Sequence, residues 1–268
     1  SPVRVELHLT TEQQAATRAM DENCIRDVNL YLYGDTEYHF YFPSVSSPLV
    51  FNVLPGNYRS YAIANAGQDL GDKNAFKIQF YETAVDVMES SDAIPMTDRG
   101  TLAVDGAGRC TPSSLRVTRS AAKIAYTIEV ADAVAPSLRL RSVQFCNLPL
   151  TIRPFDSGSI SSTVEANYYD GEAMPVGNER RTAGTAYLFE NLQGSVDTIT
   201  DQKDKCPENA PSCATYLRIL AERSADKALV EYIVYPGENN TSDFNVRRNT
   251  WHCLLYTSDA ADDRISVD

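Results

Sequence analysis

Apolar and polar residues alternate one by one in the first segment of the chain. The apolar positions are Val3, Val5, Leu7 and Leu9. A period of two is typical of a strand that buries one face in a core and leaves the other in water. The same period returns over residues 28–33, which end at the turn signal Gly34-Asp35. The pattern therefore predicts two strands near the start of the chain.

Two further β-prone runs flank the dipeptide Pro55-Gly56. Residues 49–54 precede it and residues 58–65 follow it, and both runs are rich in aromatic and β-branched side chains. Pro-Gly is a strong turn signal. We therefore expect the two runs to form a β-hairpin.

The second half of the chain continues in the same style, with short apolar runs separated by turn-rich connections. The predicted strands there cover residues 115–117, 122–130, 138–145, 187–189, 216–221 and 228–235. Many short strands with frequent turns are typical of β-sandwiches, which predicts an all-β fold. A length of 268 residues is enough for two ordinary domains. The drop in apolar content over 105–114 predicts a boundary near residue 113, giving domains 1–113 and 114–268.

The net charge and the short apolar runs argue against nucleic-acid partners and membrane-spanning helices. The chain carries 36 acidic and 24 basic residues, for a net charge of -12. Nucleic acids and anionic membranes would repel such a surface, so the charge predicts no nucleic-acid partner. The apolar runs are only a few residues long, whereas a membrane-spanning helix needs about 20. We therefore expect no transmembrane helix.

A search for catalytic, cofactor and metal motifs predicts none. The only histidines are His8, His39 and His252, and they form no metal-binding cluster, so we expect them to face solvent on strands. The sequence lacks a nucleophile elbow, a phosphate-binding glycine loop and a calcium loop. No pair of carboxylates stands out for glycoside hydrolysis. The sequence thus predicts a non-enzymatic protein without cofactors.

Two of the six cysteines lie close together in the chain. Cys206 and Cys213 flank a loop rich in Pro and Asn. In an oxidising compartment this spacing favours a local disulfide over two free thiols. A metal site is the weaker alternative because no histidine or second cysteine pair lies nearby.

Several segments together resemble a known family, beginning in the N-terminal third. The first strand is followed by a polar loop with the step Arg18-Ala19 and the acidic pair Asp21-Glu22, and then by a Val-x-Leu-x-Leu strand within residues 25–33. Residues 54–59 and 62–67 resemble a hairpin that ends in an Ala-Asn-x-Gly-like turn. This order is similar to that of fimbrillins, the major subunits of type V pili in Bacteroides-like bacteria.

The resemblance extends to residue 252. Residues 94–97 contain the family's Pro-Met-Thr step, 115–124 resemble the strand that opens its C-terminal domain, and 244–250 resemble a segment before a late strand. The resemblance implies two transthyretin-like β-sandwich domains in tandem. It also implies a lipoprotein precursor anchored in the outer membrane, which later forms part of a cell-surface fimbrium.

The resemblance further implies a route of assembly. An arginine-specific surface protease would cut between Arg18 and Ala19, remove the N-terminal strand with Val3, Val5, Leu7 and Leu9, and permit donor-strand exchange with other pilus subunits. On position alone, the favoured interpretation of Arg18 is an ordinary exposed loop arginine, and only the resemblance favours cleavage. A second function class stays open, namely a tip adhesin or glycan-binding lipoprotein that binds a host or bacterial surface ligand without polymerising.

The C-terminal segment has a different resemblance. Residues 253–263 are similar to the translation of an adapter used to prepare sequencing libraries. This similarity predicts that the C-terminal domain is truncated near residue 252. We expect residues 253–268 to contribute little to the core and Cys253 to take no part in a disulfide.

Overall fold

The fold is all-β, as the alternating pattern predicts. The structure is a computed structural model that describes residues 1–11, 23–71, 94–155 and 161–258. These residues contain no α-helix, and their only helical turns are two 3-10 turns at Glu165–Asn167 and Gln202–Asp204. None of the described residues forms a helix long and apolar enough to cross a bilayer.

The chain divides into two compact units between Ser120 and Ala121. The segment that begins at Thr151 returns to the first unit, and the described residues from 161 onward belong to the second. The division falls after the strand at Ser114–Arg119, whereas the predicted boundary near residue 113 falls before it. That strand pairs with two strands of the first unit, which accounts for its place there.

The described residues of the first unit form eight strands, seven of them in one continuous path of pairing. They are β1 Val3–Thr11, β2 Val28–Tyr33, β3 Glu37–Phe42, β4 Leu49–Val53, β5 Gly56–Ala64, β6 Met96–Val104, β7 Cys110–Thr111 and β8 Ser114–Arg119. The order is β3-β2-β5-β6-β8-β1-β4, and β7 pairs with β6. The path curls around one apolar core to which β1, β2, β4, β5, β6 and β8 all contribute buried side chains. The two ends of the path also meet, because the rings of Phe40 in β3 and Phe51 in β4 lie 4.9 Å apart.

The predicted hairpin about Pro55-Gly56 is wrong. β4 pairs with β1, and β5 pairs with β2 and β6, so the turn carries the chain between two parts of the path. A hairpin does join β2 to β3, with Val28 opposite Phe42 and Tyr33 opposite Glu37. The chain does bend at Pro55, but a turn signal alone does not identify the partners of the strands that flank it.

In the part of the second unit that the structure describes, the strands form a four-stranded and a three-stranded sheet. Its strands are β9 Ala121–Val130, β10 Leu138–Cys146, β11 Leu148–Pro149, β12 Tyr168–Tyr169, β13 Met174–Pro175, β14 Arg181–Phe189, β15 Tyr216–Arg223, β16 Leu229–Val234 and β17 Trp251–Ser258. The orders are β13-β10-β15-β16 and β14-β9-β17, with β11 and β12 as a separate pair. Buried residues of both sheets form a second apolar core.

Residues 253–258 contribute more to this core than the adapter-like sequence predicts. They complete β17, which pairs in parallel with β9 from Trp251 opposite Lys123 to Ser258 opposite Val130. Leu254 and Tyr256 are partly buried against the second core. The expectation of little contribution is therefore wrong for this segment. The rest of the adapter-like run, residues 259–263, lies outside the described residues.

Truncating a buried leucine of β1 tests the position of this strand in the first core. Leu7 is fully buried and Leu9 only partly so. We expect Leu7→Ala to lower the free energy of unfolding by about 2 to 5 kcal/mol, because the change leaves a cavity among packed neighbours. Leu9→Ala in the same strand is the control and should cost clearly less. Urea unfolding followed by circular dichroism measures both, and equal losses would contradict the buried register of β1.

Candidate strand-release site

β1 is an interior strand of the first unit, because another strand pairs with each of its edges. Its first half pairs antiparallel with β4, from Val3 opposite Val53 to Leu7 opposite Leu49. Its second half pairs in parallel with β8, from His8 opposite Ser114 to Thr11 opposite Val117. Removing β1 would therefore expose backbone donors and acceptors on both neighbours, which is the condition under which a sheet recruits another strand.

The side chains of β1 also pack in the apolar core of the first unit. Val5 and Leu7 are fully buried, and Val3 and Leu9 pack partly buried against the same cluster. Full burial of an aliphatic side chain contributes about 1.5 to 3 kcal/mol, so Val5 and Leu7 together contribute about 3 to 6 kcal/mol as an upper estimate. Whole domains have stabilities of about 5 to 15 kcal/mol. The unit therefore depends strongly on this single strand.

The predicted cleavage step lies in a part of the chain that the structure does not describe. β1 ends at Thr11, and the description resumes at Asn23. Arg18 and Ala19 lie outside the described residues. Cleavage between them stays a prediction.

The two cysteines predicted to pair are both free thiols in the structure. Cys206 and Cys213 are both buried, and each thiol has a polar neighbour of its own. The Asn209 side-chain amide lies 3.5 Å from the Cys206 Sγ, and the Ser212 hydroxyl lies 3.8 Å from the Cys213 Sγ. The disulfide of the exported, oxidised protein stays a prediction.

His252 is buried and His39 is partly buried, which corrects the expectation that all three histidines face solvent. The His39 side chain is 9% exposed, stacks on Tyr31 and hydrogen-bonds to the Asn29 side-chain oxygen at 3.0 Å. His252 is buried between the carbonyl of Gly237 and the hydroxyl of Thr250. His8 is exposed, as expected. Sequence alternation does not predict either case, because contacts come from loop residues: Asp69 lies beside His39, and Gly237 lies beside His252.

No group of three or more metal-binding side chains occurs among the described residues. Four tyrosines of the first unit are core residues. Tyr31, Tyr33, Tyr58 and Tyr61 are all less than 9% exposed.

A cleft of about 1120 Å³ lies within the second unit, between the outer edges of β16 and β17. Its walls include Tyr232 and Tyr256, whose rings lie 5.6 Å apart, and the carboxylates of Glu231 and Glu238. Each of these two strands pairs on one edge only in the described sheets. The cleft is thus an open end of the second core with both apolar and acidic walls.

A partly buried lysine anchors the loop at one end of this cleft. The Lys205 ammonium donates to the carbonyl of Asn239 at 2.8 Å and lies over the ring of Phe244. Burial lowers the pKa of Lys205 to about 8, although the nearby Asp243 carboxylate opposes the shift. Burial likewise lowers the pKa of His252, which hydrogen-bonds to Gly237 in the same loop.

The lowered pKa of Lys205 predicts an unusual dependence of stability on pH. Between about pH 8 and pH 10.5 the folded chain has lost this proton while the unfolded chain keeps it, so the unfolding free energy rises with pH. Below about pH 8 the cost of burying the charge is fully present. Lys205→Met should flatten this rise.

Lys203→Met is the matched control, because its side chain lies in the same loop and is 72% exposed. It should keep the wild-type dependence. Urea unfolding at intervals from pH 7 to pH 10.5 provides the measurement. Identical slopes for Lys205→Met and wild type would contradict the burial of the Lys205 charge.

One family of proteins matches part of the second unit. Residues 186–254 match the model of a family described as a domain of unknown function (DUF4906). None of the curated proteins compared with the chain matches it.

Solved structures match over nearly the whole chain. A candidate cell adhesion protein from Bacteroides eggerthii is 13% identical, with a TM-score of 0.64 over 98% of this chain and 88% of that chain. The tip fimbrial protein Mfa3 from Porphyromonas gingivalis, solved with a C-terminal truncation, is 14% identical, with a TM-score of 0.57 over 100% of this chain and 98% of that chain. A candidate cell adhesion protein from Parabacteroides distasonis is 10% identical, with a TM-score of 0.59 over 95% of this chain and 92% of that chain.

Identities this low show a shared fold and leave the function open. The resemblance to fimbrial proteins, noted from short motifs, is confirmed at the level of the fold. The chain has the fold of fimbrial and candidate adhesion proteins of Bacteroidales.

Proposed function

We propose that the chain is a structural subunit of a cell-surface fimbria, a type V pilus, and that it assembles by donor-strand exchange after proteolytic removal of β1. The observation that carries the proposal is the place of β1 in the fold. β1 is the first described strand, yet it lies between β8 and β4 inside the sheet. One cut between β1 and β2 therefore detaches an interior strand and leaves the remaining strands in one chain.

The opened unit would have a strong preference for a replacement strand. Loss of β1 would leave β4 without a strand partner, since β1 is the only strand that pairs with it in the described sheets. It would also expose the pocket that Val5 and Leu7 fill. A strand from another subunit, with apolar residues at every second position, restores both the backbone pairing and the buried surface.

This mechanism requires no catalytic residue in the subunit itself. The chemistry belongs to an arginine-specific protease at the cell surface, and the subunit supplies a strand that is stable until it is cut. The proposal includes a precursor anchored as a lipoprotein in the outer membrane. Its main partners are other pilus subunits, in a homopolymer or a heteropolymer.

The test is the variant Arg18→Ala in the full-length gene. We expect export and folding to be normal and assembly to be blocked, because β1 stays attached. Arg26→Ala is the control: this arginine is exposed just before β2, and its loss should leave cleavage and assembly intact. N-terminal sequencing of surface protein and electron microscopy of pili provide the readouts. Normal polymerisation of Arg18→Ala, or a mature chain that begins elsewhere than Ala19, would contradict the proposal.

The cleft of the second unit supports a second candidate function, a tip adhesin or glycan-binding surface protein that does not polymerise. Aromatic and carboxylate walls of the kind seen at Tyr256 and Glu231 suit a saccharide, which stacks on rings and hydrogen-bonds to acids. Under this alternative the cleaved protein stays monomeric and binds defined glycans on an array. A cleaved chain that polymerises and binds no glycan favours the structural subunit.

A further inference from the structure

Hydrogen bonds within the turn between β6 and β7 fix the conformation of this hairpin tip. Ala103 lies opposite Thr111 and Val104 opposite Cys110, and the turn covers residues 105–109. One carboxylate oxygen of Asp105 accepts from the backbone amides of Ala107 and Arg109, each at 2.9 Å. The other oxygen accepts from the Arg109 guanidinium at 2.7 Å. Backbone hydrogen bonds across the turn add to these contacts, so the tip has a fixed conformation.

This fixed tip lies directly against the backbone of β1. A Cβ atom added to Gly108 would lie 2.1 Å from the carbonyl oxygen of Arg4, far inside van der Waals contact. Gly108 also has a φ of +80°, which residues with side chains rarely adopt. Both the close approach and the conformation therefore require glycine at this position.

A second contact lies two residues further along β1. The thiol of Cys110 donates to the carbonyl of Glu6 at 3.3 Å, and Cys110 is partly buried against the first core. Carbonyl groups two residues apart point to the same edge of a strand. The tip thus faces one edge of β1 at both Arg4 and Glu6.

The hairpin tip contacts the N-terminal half of β1, which lies away from the predicted cut. β8 pairs only with residues 8–11 of β1, so the hairpin tip occupies the edge of the N-terminal half. A cut after Arg18 would create a new chain end beyond Thr11, at the opposite end of the strand. Fraying begins at a free end. The half of β1 that lies furthest from the cut is the half that the hairpin holds.

We propose that the β6–β7 turn is a clip that retains β1 after the chain is cut and sets the rate at which the strand leaves. This inference rests on the proposed function and adds a regulatory element to it. The clip would keep the cleaved subunit closed until an incoming strand displaces β1 from the cut end. Premature exposure of the apolar groove, with the aggregation that follows, is thereby limited.

The test compares two alanine variants of the same turn. Gly108→Ala brings a methyl group against the Arg4 carbonyl and should force the tip away from β1. Gly106→Ala is the matched control, because a Cβ atom added there meets nothing within 4 Å. After cutting with an arginine-specific protease, native mass spectrometry follows loss of the N-terminal peptide. We expect it to leave Gly108→Ala about tenfold or more faster than wild type, which corresponds to about 1.4 kcal/mol, and to leave Gly106→Ala at the wild-type rate.

A second variant keeps the test decisive if Gly108→Ala does not fold. Cys110→Ala removes only the thiol contact to Glu6 and should speed release by a smaller factor, whereas Cys110→Ser retains a donor and should release β1 more slowly than Cys110→Ala. Equal release rates for Gly108→Ala and Gly106→Ala would overturn the clip. So would equal rates for Cys110→Ala and wild type where Gly108→Ala does not fold.

Hydrogen exchange in the uncut chain separates this inference from the proposed function. Amides of Val5 and Leu7 should exchange faster in Gly108→Ala than in Gly106→Ala, while amides of β2 and β5 should not change. This result does not depend on any cut at Arg18. If the chain is never cut there but the exchange difference is present, the assembly proposal fails and the clip stands as a structural contact. If cutting occurs and the exchange difference is missing, the clip fails alone.

Discussion

The two-sided pairing of β1 is the constraint on which the first unit depends. β4 belongs to the path of strands only through β1, whose other edge pairs with β8. The ends of the path are closed by contact between rings such as Phe40 and Phe51, which has no backbone pairing to support it. Without β1, the core would lose the fully buried Val5 and Leu7 and the strand that connects β4 to the rest. Such dependence on a terminal strand is a liability in an ordinary domain and an advantage in a subunit that exchanges strands.

The sequence predicts the strands better than it predicts their partners. The period of two located β1 and β2 well, because each buries one face in a core that is apolar throughout. β3 and β6 were missed: the first is nearly continuous in aromatic residues, and the second contains Asp98, Arg99 and Gly100 within its pairing with β5. The hairpin about Pro55-Gly56 failed because pairing depends on contacts between distant parts of the chain. Local turn chemistry carries no information about those contacts.

The candidate site shows a similar division. Val5 and Leu7 are core residues of β1, as their alternation predicts, whereas nothing in the local sequence indicates that β8 and β4 flank the strand. The low apolar content of the turn at 105–109 favours a domain boundary there. In the structure the same composition serves close packing, since only glycine permits the approach of residue 108 to Arg4. Low apolar content alone does not distinguish a linker from a turn that packs on a neighbouring backbone.

Stabilising contacts are distributed unevenly along the strands of the first unit. This distribution explains how β1 can leave without loss of the fold. All six residues of β2 are buried. On one face lie Val28, Leu30 and Leu32 of the core, and on the other the Asn29 side chain accepts from the amide of Leu70 and donates to the carbonyl of Gln68. Tyr31 adds a bond from its hydroxyl to the carbonyl of Gly71. Local opening follows the distribution of such contacts, so the β2 region should remain closed at a free energy that opens β1. Strand replacement then requires only the end of the path with β1 and β4 to open. The end with β2 and β5 stays folded and keeps the core against which the new strand must pack.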